Sequence, residues 1–270
     1  MTVHAIQSPN ADRFILTICV FCAFGGRDFP SIEKQLLAAF LSSIRRVYGG
    51  SAKIILLTDA TLQADLYEKV FSEVRVVRVD REKLLLSRAL AYSSVISEHD
   101  WSTPLAFLDY DVLVLRQIND VFNYGDDVFV TDRPYSREMP INGGVIFLNN
   151  RNPLSSSAFY NTVVEIYKSL PWEQLAWWGD QIALSRAVYA HAVSISSDRV
   201  VSSSWRVRIL PRACYNYTPY DIDSGLDIPR TLSDDVLATV RCTAKIAHFK
   251  GPRKHLMLEL AQRLPLDAAQ

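Results

Sequence analysis

Apolar residues recur along this chain in two rhythms, and the change from one to the other marks where its elements begin and end. Residues 14–24 form the longest apolar run. Its β-branched Ile15, Thr17, Ile18 and Val20 favour a buried strand, and Gly25-Gly26 supplies a turn at its carboxyl end. Ser31 is placed to cap a helix in which Ile32, Leu36, Leu37, Phe40, Leu41, Ile44, Val47 and Tyr48 repeat at three and four residues, until Gly49-Gly50 stops the pattern. Strands follow at 53–58, ending in Asp59, and at 74–79, ending in Asp80. Residues 82–98 read as a helix, 104–108 as a short strand reaching Asp109, and 112–115 as apolar core again just beyond Asp111.

The second half predicts strands at 128–131 and 145–148, helices at 153–169 and 180–190, and short strands near Val193, at 207–210 and at 244–248. Residues 254–264 form a short helix with Leu256, Leu260 and Leu264 on one side. Strand, helix, strand is the rhythm of an α/β protein with a mixed, mostly parallel central sheet flanked by helices. No linker, low-complexity stretch or internal repeat divides the chain, so a single domain over 1–270 is expected. Within it, 14–115 would be the nucleotide-binding half, 116–255 the donor and acceptor half, and 256–270 a C-terminal tail. Ligands of open α/β sheets gather outside the carboxyl ends of the strands, where Asp59, Asp109 and Asp111 fall.

Composition narrows the function. At 270 residues with 49% hydrophobic content, the chain can bury a sizeable core, and its net charge of +0 gives no basic field for nucleic acid. The 14–24 run is too short for a transmembrane helix, and its polar leader, β-branched content and lack of a small-residue cleavage site argue against a secretory signal. Cys19 and Cys22 form a C-x-x-C, but on a strand residues three apart face opposite sides and cannot share an ion. With Cys214 and Cys242 they read as buried, reduced thiols of a cytoplasmic protein.

Asp109 and Asp111 are separated by one residue, so in an extended segment both carboxylates point to the same side and can address one hard cation. A nucleotide diphosphate needs such a cation, because bridging its oxygens neutralises the charge that builds on the leaving group. Alone, the pair reads equally well as solvated turn aspartates.

Three further segments change that balance. Phe107-Leu108-Asp109-Tyr110-Asp111-Val112-Leu113-Val114, Ile141-Asn142-Gly143-Gly144-Val145-Ile146-Phe147-Leu148-Asn149 and His248-Phe249-Lys250-Gly251-Pro252-Arg253-Lys254 stand in that order, with Gly179-Asp180-Gln181 between the last two. Together they resemble the GT-A glycosyltransferases, most closely the retaining family 8 that includes glycogenin and lipopolysaccharide galactosyltransferases. The likeness spans roughly residues 14–255. It departs in having Asn142-Gly143-Gly144 for the usual Asn-Ala-Gly, and His255-Leu256 where the family places Pro-Trp.

The resemblance implies a GT-A fold and transfer of a hexose, with retention, from a nucleotide sugar, UDP-linked, to an acceptor hydroxyl. By the same likeness Asp109, Asp111 and His248 would hold Mn²⁺ or Mg²⁺, the mixed oxygen and nitrogen set suiting Mn²⁺. Gly251 would let the backbone approach the diphosphate, and Lys254 would offer it a positive charge. Asn142, with room left by Gly143 and Gly144, would meet the donor sugar, as would Asp180 and Gln181; a plain turn and a helix start are the ordinary readings of these segments. Arg88 would reach the donor phosphates or tie down Asp109, and Asp59 would hold the base or ribose. Tyr215, Asn216 and Tyr217 fit either an acceptor-side or a structural role. Trp172, Trp177 and Trp178 would form an acceptor wall or, as the more ordinary reading, pack in the core. The acceptor, a glycan, glycolipid or protein, is not readable, and the leucines of 254–264 would pack on the protein or touch a membrane surface.

Two other readings share the acidic pair. A haloacid-dehalogenase-type phosphatase would use Asp109 as nucleophile, but its strand normally lies near the chain start, position 113 is Leu, and position 184 is Leu where a second aspartate would stand. A nucleotidyltransferase would need a Gly-rich phosphate loop, of which Gly25-Gly26-Arg27 is a faint version. A catalytically decayed sugar-binding protein is the non-enzyme alternative.

Overall fold

In the computed structural model, residues 3–5, 14–24, 30–59, 71–133, 136–175, 178–220 and 228–264 are described. The strands are β1 Val3–Ala5, β2 Leu16–Phe21, β3 Ala52–Thr58, β4 Glu73–Val76, β5 Leu105–Leu108, β6 Val112–Val114, β7 Val128–Asp132, β8 Ile141–Leu148, β9 Ala192–Ile195, β10 Arg199–Ser202, β11 Arg206–Leu210 and β12 Ile246–His248. The α-helices are α1 Ser31–Tyr48, α2 Leu84–Glu98, α3 Pro153–Ser169, α4 Trp172–Leu175, α5 Gly179–Tyr189, α6 Arg212–Tyr215, α7 Asp234–Cys242 and α8 Lys254–Arg263. Among the described residues, ten strands form one sheet in the order β1-β4-β3-β2-β5-β8-β7-β11-β10-β9, and β12 pairs with β6 in a second, two-stranded sheet. Strands β4, β3, β2 and β5 run parallel; β8 is antiparallel to both β5 and β7, and β7 and β11 are parallel.

Alternation along β2 shows why this segment is a central strand. Leu16, Ile18 and Val20 join one apolar cluster with α1, α7 and α8, while Cys19 and Phe21 join the other with α2, α3 and α5. A strand buried on both faces is apolar on both, and the 14–24 run is so apart from Thr17, whose hydroxyl is hydrogen-bonded to that of Thr103. In α1 the repeat buries Leu36, Leu37, Phe40, Leu41, Ile44 and Tyr48, each large aliphatic or Phe stabilising by about 1.5–3 kcal/mol. Ile32, at the helix start, is 38% exposed. Ser31 is the first helical residue rather than the cap: Pro30 holds the capping position, its fixed φ of −62° already suited to helix entry. Gly49, at φ 57°, ends the helix, its N–H donating to Arg45 O at 2.7 Å.

Other boundaries moved for local reasons. β4 stops at Val76 because Asp80 turns the chain, its carboxylate accepting from Glu82 N at 3.0 Å to start a short 3₁₀ turn before α2. β8 begins at Ile141, four residues earlier than the apolar run, because Asn142 and Ile141 pair with Thr131 and Asp132 across a register shift in β7. Asn142-Gly143-Gly144 is therefore strand, not turn. β10 and α7 had no apolar run long enough to announce them.

β2 connects to β3 on one side and has β5 on its other side, so the strand order reverses between β2 and β5. The crevice that such a reversal opens lies at the carboxyl ends of these strands, where Asp109 follows β5.

Candidate metal and donor site

Asp109 leaves β5 with its N–H donating to Gly144 O at 3.0 Å, so the β8 backbone runs directly beside it. Tyr110 and Asp111 then make a turn before β6. Extended alternation is thus not what brings the two carboxylates together; the turn does, together with β12. That strand pairs antiparallel to β6 with His248 opposite Val112, which delivers the imidazole to the residue next to Asp111. One ligand atom each from Asp109, Asp111 and His248 lies within 4.8 Å of the others.

The imidazole is 2% exposed and held from both sides. Its Nδ1 lies 2.9 Å from Asn216 Oδ1, while Asn216 Nδ2 donates to Thr131 Oγ1 at 2.7 Å. The amide orientation makes Oδ1 the acceptor, so the proton is assigned to Nδ1 and the Nε2 lone pair faces Asp111 Oδ1 at 3.1 Å and Asp109 Oδ2 at 3.7 Å. Three electron-rich atoms facing one another need a proton or a cation among them. Two hard oxygens and an imidazole nitrogen fit a divalent ion such as Mn²⁺. The backbone is shaped for this crowding: a Cβ on Gly144 would meet His248 Cε1 at 2.2 Å and Asp109 Oδ2 at 2.6 Å.

Burial pushes the Asp109 carboxyl up; Arg88 offsets this only in part, and Asp111 adds to it. Burial acts on Asp111 too, but with a proton in place of the cation on Nε2 the charge and hydrogen bond of His248, with Lys254 behind them, hold its carboxyl below the usual range. Arg88 on α2 is the bridge to the second part of the site. Its Nη1 donates to Asp109 Oδ1 at 2.5 Å and its Nη2 to Asp180 Oδ2 at the start of α5. Burial alone would weaken the guanidinium charge, but Asp109 and Asp180 outweigh it and hold its pKa well above the usual value.

Asp180 Oδ1 is buried without a hydrogen-bond partner. A Cβ on Gly143 would touch Asp180 Oδ2 and Gln181 Cγ, both at 3.3 Å, which places Gly143 against Asp180 and Gln181. Asn142 is buried and its Oδ1 accepts from Gly144 N at 2.9 Å, fixing the strand beside Asp109.

The remaining predicted residues are placed as follows. Lys254, first in α8, donates to Glu33 and to the Tyr110 hydroxyl. Gly251 has φ 57°, and a Cβ there would meet nothing within 4 Å, so its backbone conformation is what asks for glycine. Asp59 is buried at the end of β3 and accepts from Phe24 N at 3.1 Å, tying the ends of β2 and β3 together. Gly25-Gly26, Arg27 and Trp177 lie outside the described residues.

Trp172 and Trp178 are 53% and 40% exposed, which corrects the core reading for both; Lys83 and Arg133 lie over their rings at 5.8 and 4.9 Å. Arg133 Nη1 also lies 3.5 Å from Gln181 Oε1, at the limit of a hydrogen bond. All four cysteines are free; Cys19 on β2 and Cys22 just beyond it are buried in the two opposite apolar clusters with thiol pKa values raised by that burial, whereas Cys214 is half-buried and Cys242 exposed, which corrects the buried reading for those two. Tyr215 is structural, its hydroxyl donating to Asp120 Oδ2 at 2.7 Å. Asn216, fully buried, positions His248, a role that its place between two tyrosines did not announce.

Solved structures share this architecture. The galactosyltransferase LgtC, crystallised with donor and acceptor sugar analogs, superposes with a TM-score of 0.55 at 12% identity, covering 92% of this chain and 96% of its own. The chain has the GT-A fold. GlyE of Streptococcus pneumoniae TIGR4, a glycosyltransferase, gives 0.57 at 10% identity over 93% of this chain and 60% of its own. A glycosyltransferase involved in glycosylation of the major capsid of PBCV-1 gives 0.55 at 13%, over 92% and 98%. No protein-family model matches the chain, and no curated protein matches its sequence. Among the described residues, no helix of this GT-A fold is long and apolar enough to cross a membrane.

Proposed function

We propose that the chain is a metal-dependent glycosyltransferase that moves a hexose from a nucleotide-diphosphate sugar, UDP-linked, to an acceptor hydroxyl with retention of configuration. The observation that carries this reading is the convergence of Asp109, Asp111 and His248 within 4.8 Å, at the strand ends where GT-A-fold proteins open their crevice. A divalent cation held by these three, Mn²⁺ or Mg²⁺, would offset the charge that develops on the diphosphate as the bond to the sugar breaks.

The chain's own groups then divide the work. Arg88 favours the ionised form of Asp109 and orients its carboxylate, and through its second nitrogen fixes Asp180 against Gly143. Asp180 and Gln181, packed against Gly143 on the strand beside Asp109, would meet the donor sugar and engage its hydroxyls. Lys254 contributes an ammonium to the leaving diphosphate. Asp59, at the neighbouring strand end, would hold the base or ribose. The acceptor approaches past Trp178, whose exposed ring adjoins Gly179 and Asp180 and suits the apolar face of a sugar. Four free thiols, those of Cys19 and Cys22 buried, suit a reducing, cytoplasmic setting.

Position 184, where the phosphatase alternative needs an aspartate, is Leu184 in the core. Leu256 and Leu260 are buried in the cluster that includes α1, so these side chains serve packing rather than a membrane surface.

Purified protein is incubated with UDP-hexoses and Mn²⁺, with EDTA, and as Asp111→Ala. Nucleotide release that requires Mn²⁺ and disappears in the variant is expected, and NMR of the product should show the donor's anomeric configuration. Equal release with EDTA would sink the metal-dependent reading, and inverted product would sink retention.

A further inference from the structure

Glu33 has no part in the chemistry described so far, yet it holds the cation that this chemistry uses. It stands in the first turn of α1 with its side chain 14% exposed, and its oxygens accept from Lys254 Nζ at 3.0 and 3.3 Å. The same ammonium donates to the Tyr110 hydroxyl at 2.9 Å and lies 4.8 Å from the centre of that ring. An ammonium has three protons, and these three oxygens engage them. The arrangement is rigid at both ends, because α1 packs on α8 and Lys254 is the first residue of α8. It also sits beside the metal-ligand triad: the charge of Lys254 acts on Asp111, and the buried Cys22 thiol feels Glu33, Lys254, Asp59 and Asp111 together.

We infer that Glu33 and the donor's diphosphate compete for Lys254, so that Glu33 sets how tightly the nucleotide is held and how readily it leaves; the inference rests on the transferase reading above. Paired, the carboxylate and ammonium sum to no net charge, and Lys254 has nothing to offer a diphosphate. To serve the diphosphate it must leave Glu33, whose carboxylate is then exposed to like charge from the ligand. After transfer, the return of Lys254 to Glu33 favours departure of the nucleoside diphosphate, a step that often limits turnover. Glu33 is thus a positioning residue acting through Lys254, and Tyr110, the central residue of the Asp-Tyr-Asp segment, is the platform on which the ammonium rests in either state.

The test is calorimetric titration of UDP into protein saturated with Mn²⁺, for the wild type, Glu33→Gln, Glu33→Asp and Lys254→Met. Glu33→Gln keeps the shape and removes the charge; it is expected to bind UDP about fivefold tighter, equivalent to ~1 kcal/mol. Steady-state kinetics should show a lower KM for the donor without a matching gain in kcat. Glu33→Asp, which keeps the charge, should stay near the wild type, and Lys254→Met should bind more weakly. A purely structural Glu33 would give weaker or unchanged binding in Glu33→Gln, and either result overturns the inference, as does wild-type affinity in Lys254→Met. If the wild type binds none of UDP, GDP, CDP or ADP, the transferase reading falls and takes this inference with it; binding by the wild type without a gain in Glu33→Gln removes the inference alone.

Discussion

Replacing Gly144 by alanine tests the site at its tightest point. The added methyl would lie 2.2 Å from His248 Cε1, 2.6 Å from Asp109 Oδ2 and 3.0 Å from His248 Nδ1. Carbon atoms settle at about 3.5–4.0 Å, so the imidazole must retreat by roughly 1.3–1.8 Å. It has little freedom to do so, being 2% exposed and held by Asn216. Overpacking of this kind costs about 1–3 kcal/mol, which at about 2–4 °C per kcal/mol lowers the melting midpoint by roughly 2–12 °C. Disturbing a metal ligand's support lowers metal affinity by about 10–100-fold, and the direct displacement here should reach at least that. The assay is titration of Mn²⁺ into the folded variant, with Gly251→Ala as contrast. Gly251 has φ 57° but nothing within 4 Å of its added Cβ, so its alanine variant should lose about 1–2 kcal/mol of stability to backbone strain and keep its Mn²⁺ affinity. Wild-type Mn²⁺ affinity in Gly144→Ala would refute the argument that close approach of β8 builds the site.

Asn216→Ala removes the acceptor that fixes His248, and Mn²⁺ affinity should fall about 10–100-fold by titration while the fold, followed by circular dichroism, persists. Arg88→Met leaves Asp109 and Asp180 without their shared partner; a stability loss of about 3–5 kcal/mol is expected in denaturant unfolding, and a loss under 1 kcal/mol would show that the pair of carboxylates needs no cation between them. Glu73 is buried between Lys53 and Arg75: burial pushes its carboxyl up, but the hydrogen bonds from both cations outweigh this and hold it below the usual range. Its stabilising contribution is therefore present above the ordinary carboxylate pKa and lost as pH falls through the lower folded value. Glu73→Gln should melt below the wild type near neutral pH, with the gap narrowing on acidification; a gap independent of pH would contradict the ion-pair account.

The apolar rhythm determined the elements because burial is read one residue at a time. The runs that became β2, β3 and β5 are apolar at most positions since both faces of a central strand are covered, and α1 followed its three-and-four repeat to Gly49. The ligand types were legible too, since Asp109, Asp111 and His248 stand in short motifs whose order could be checked along the chain. What no local pattern contains is pairing across distance. His248 reaches Asp111, 137 residues away, only because β12 pairs with β6 in one particular register. Asn142-Gly143-Gly144 has the composition of a turn and becomes strand because Thr131 and Asp132 lie opposite it. Asn216, read from the sequence only as acceptor-side or structural, and Glu33, which carried no signal, each acquire their role from a neighbour that folding brings within hydrogen-bond distance. Trp172 and Trp178 make the same point in reverse, since an aromatic side chain is as ready for a core as for a surface, and only the packing around it decides which it meets.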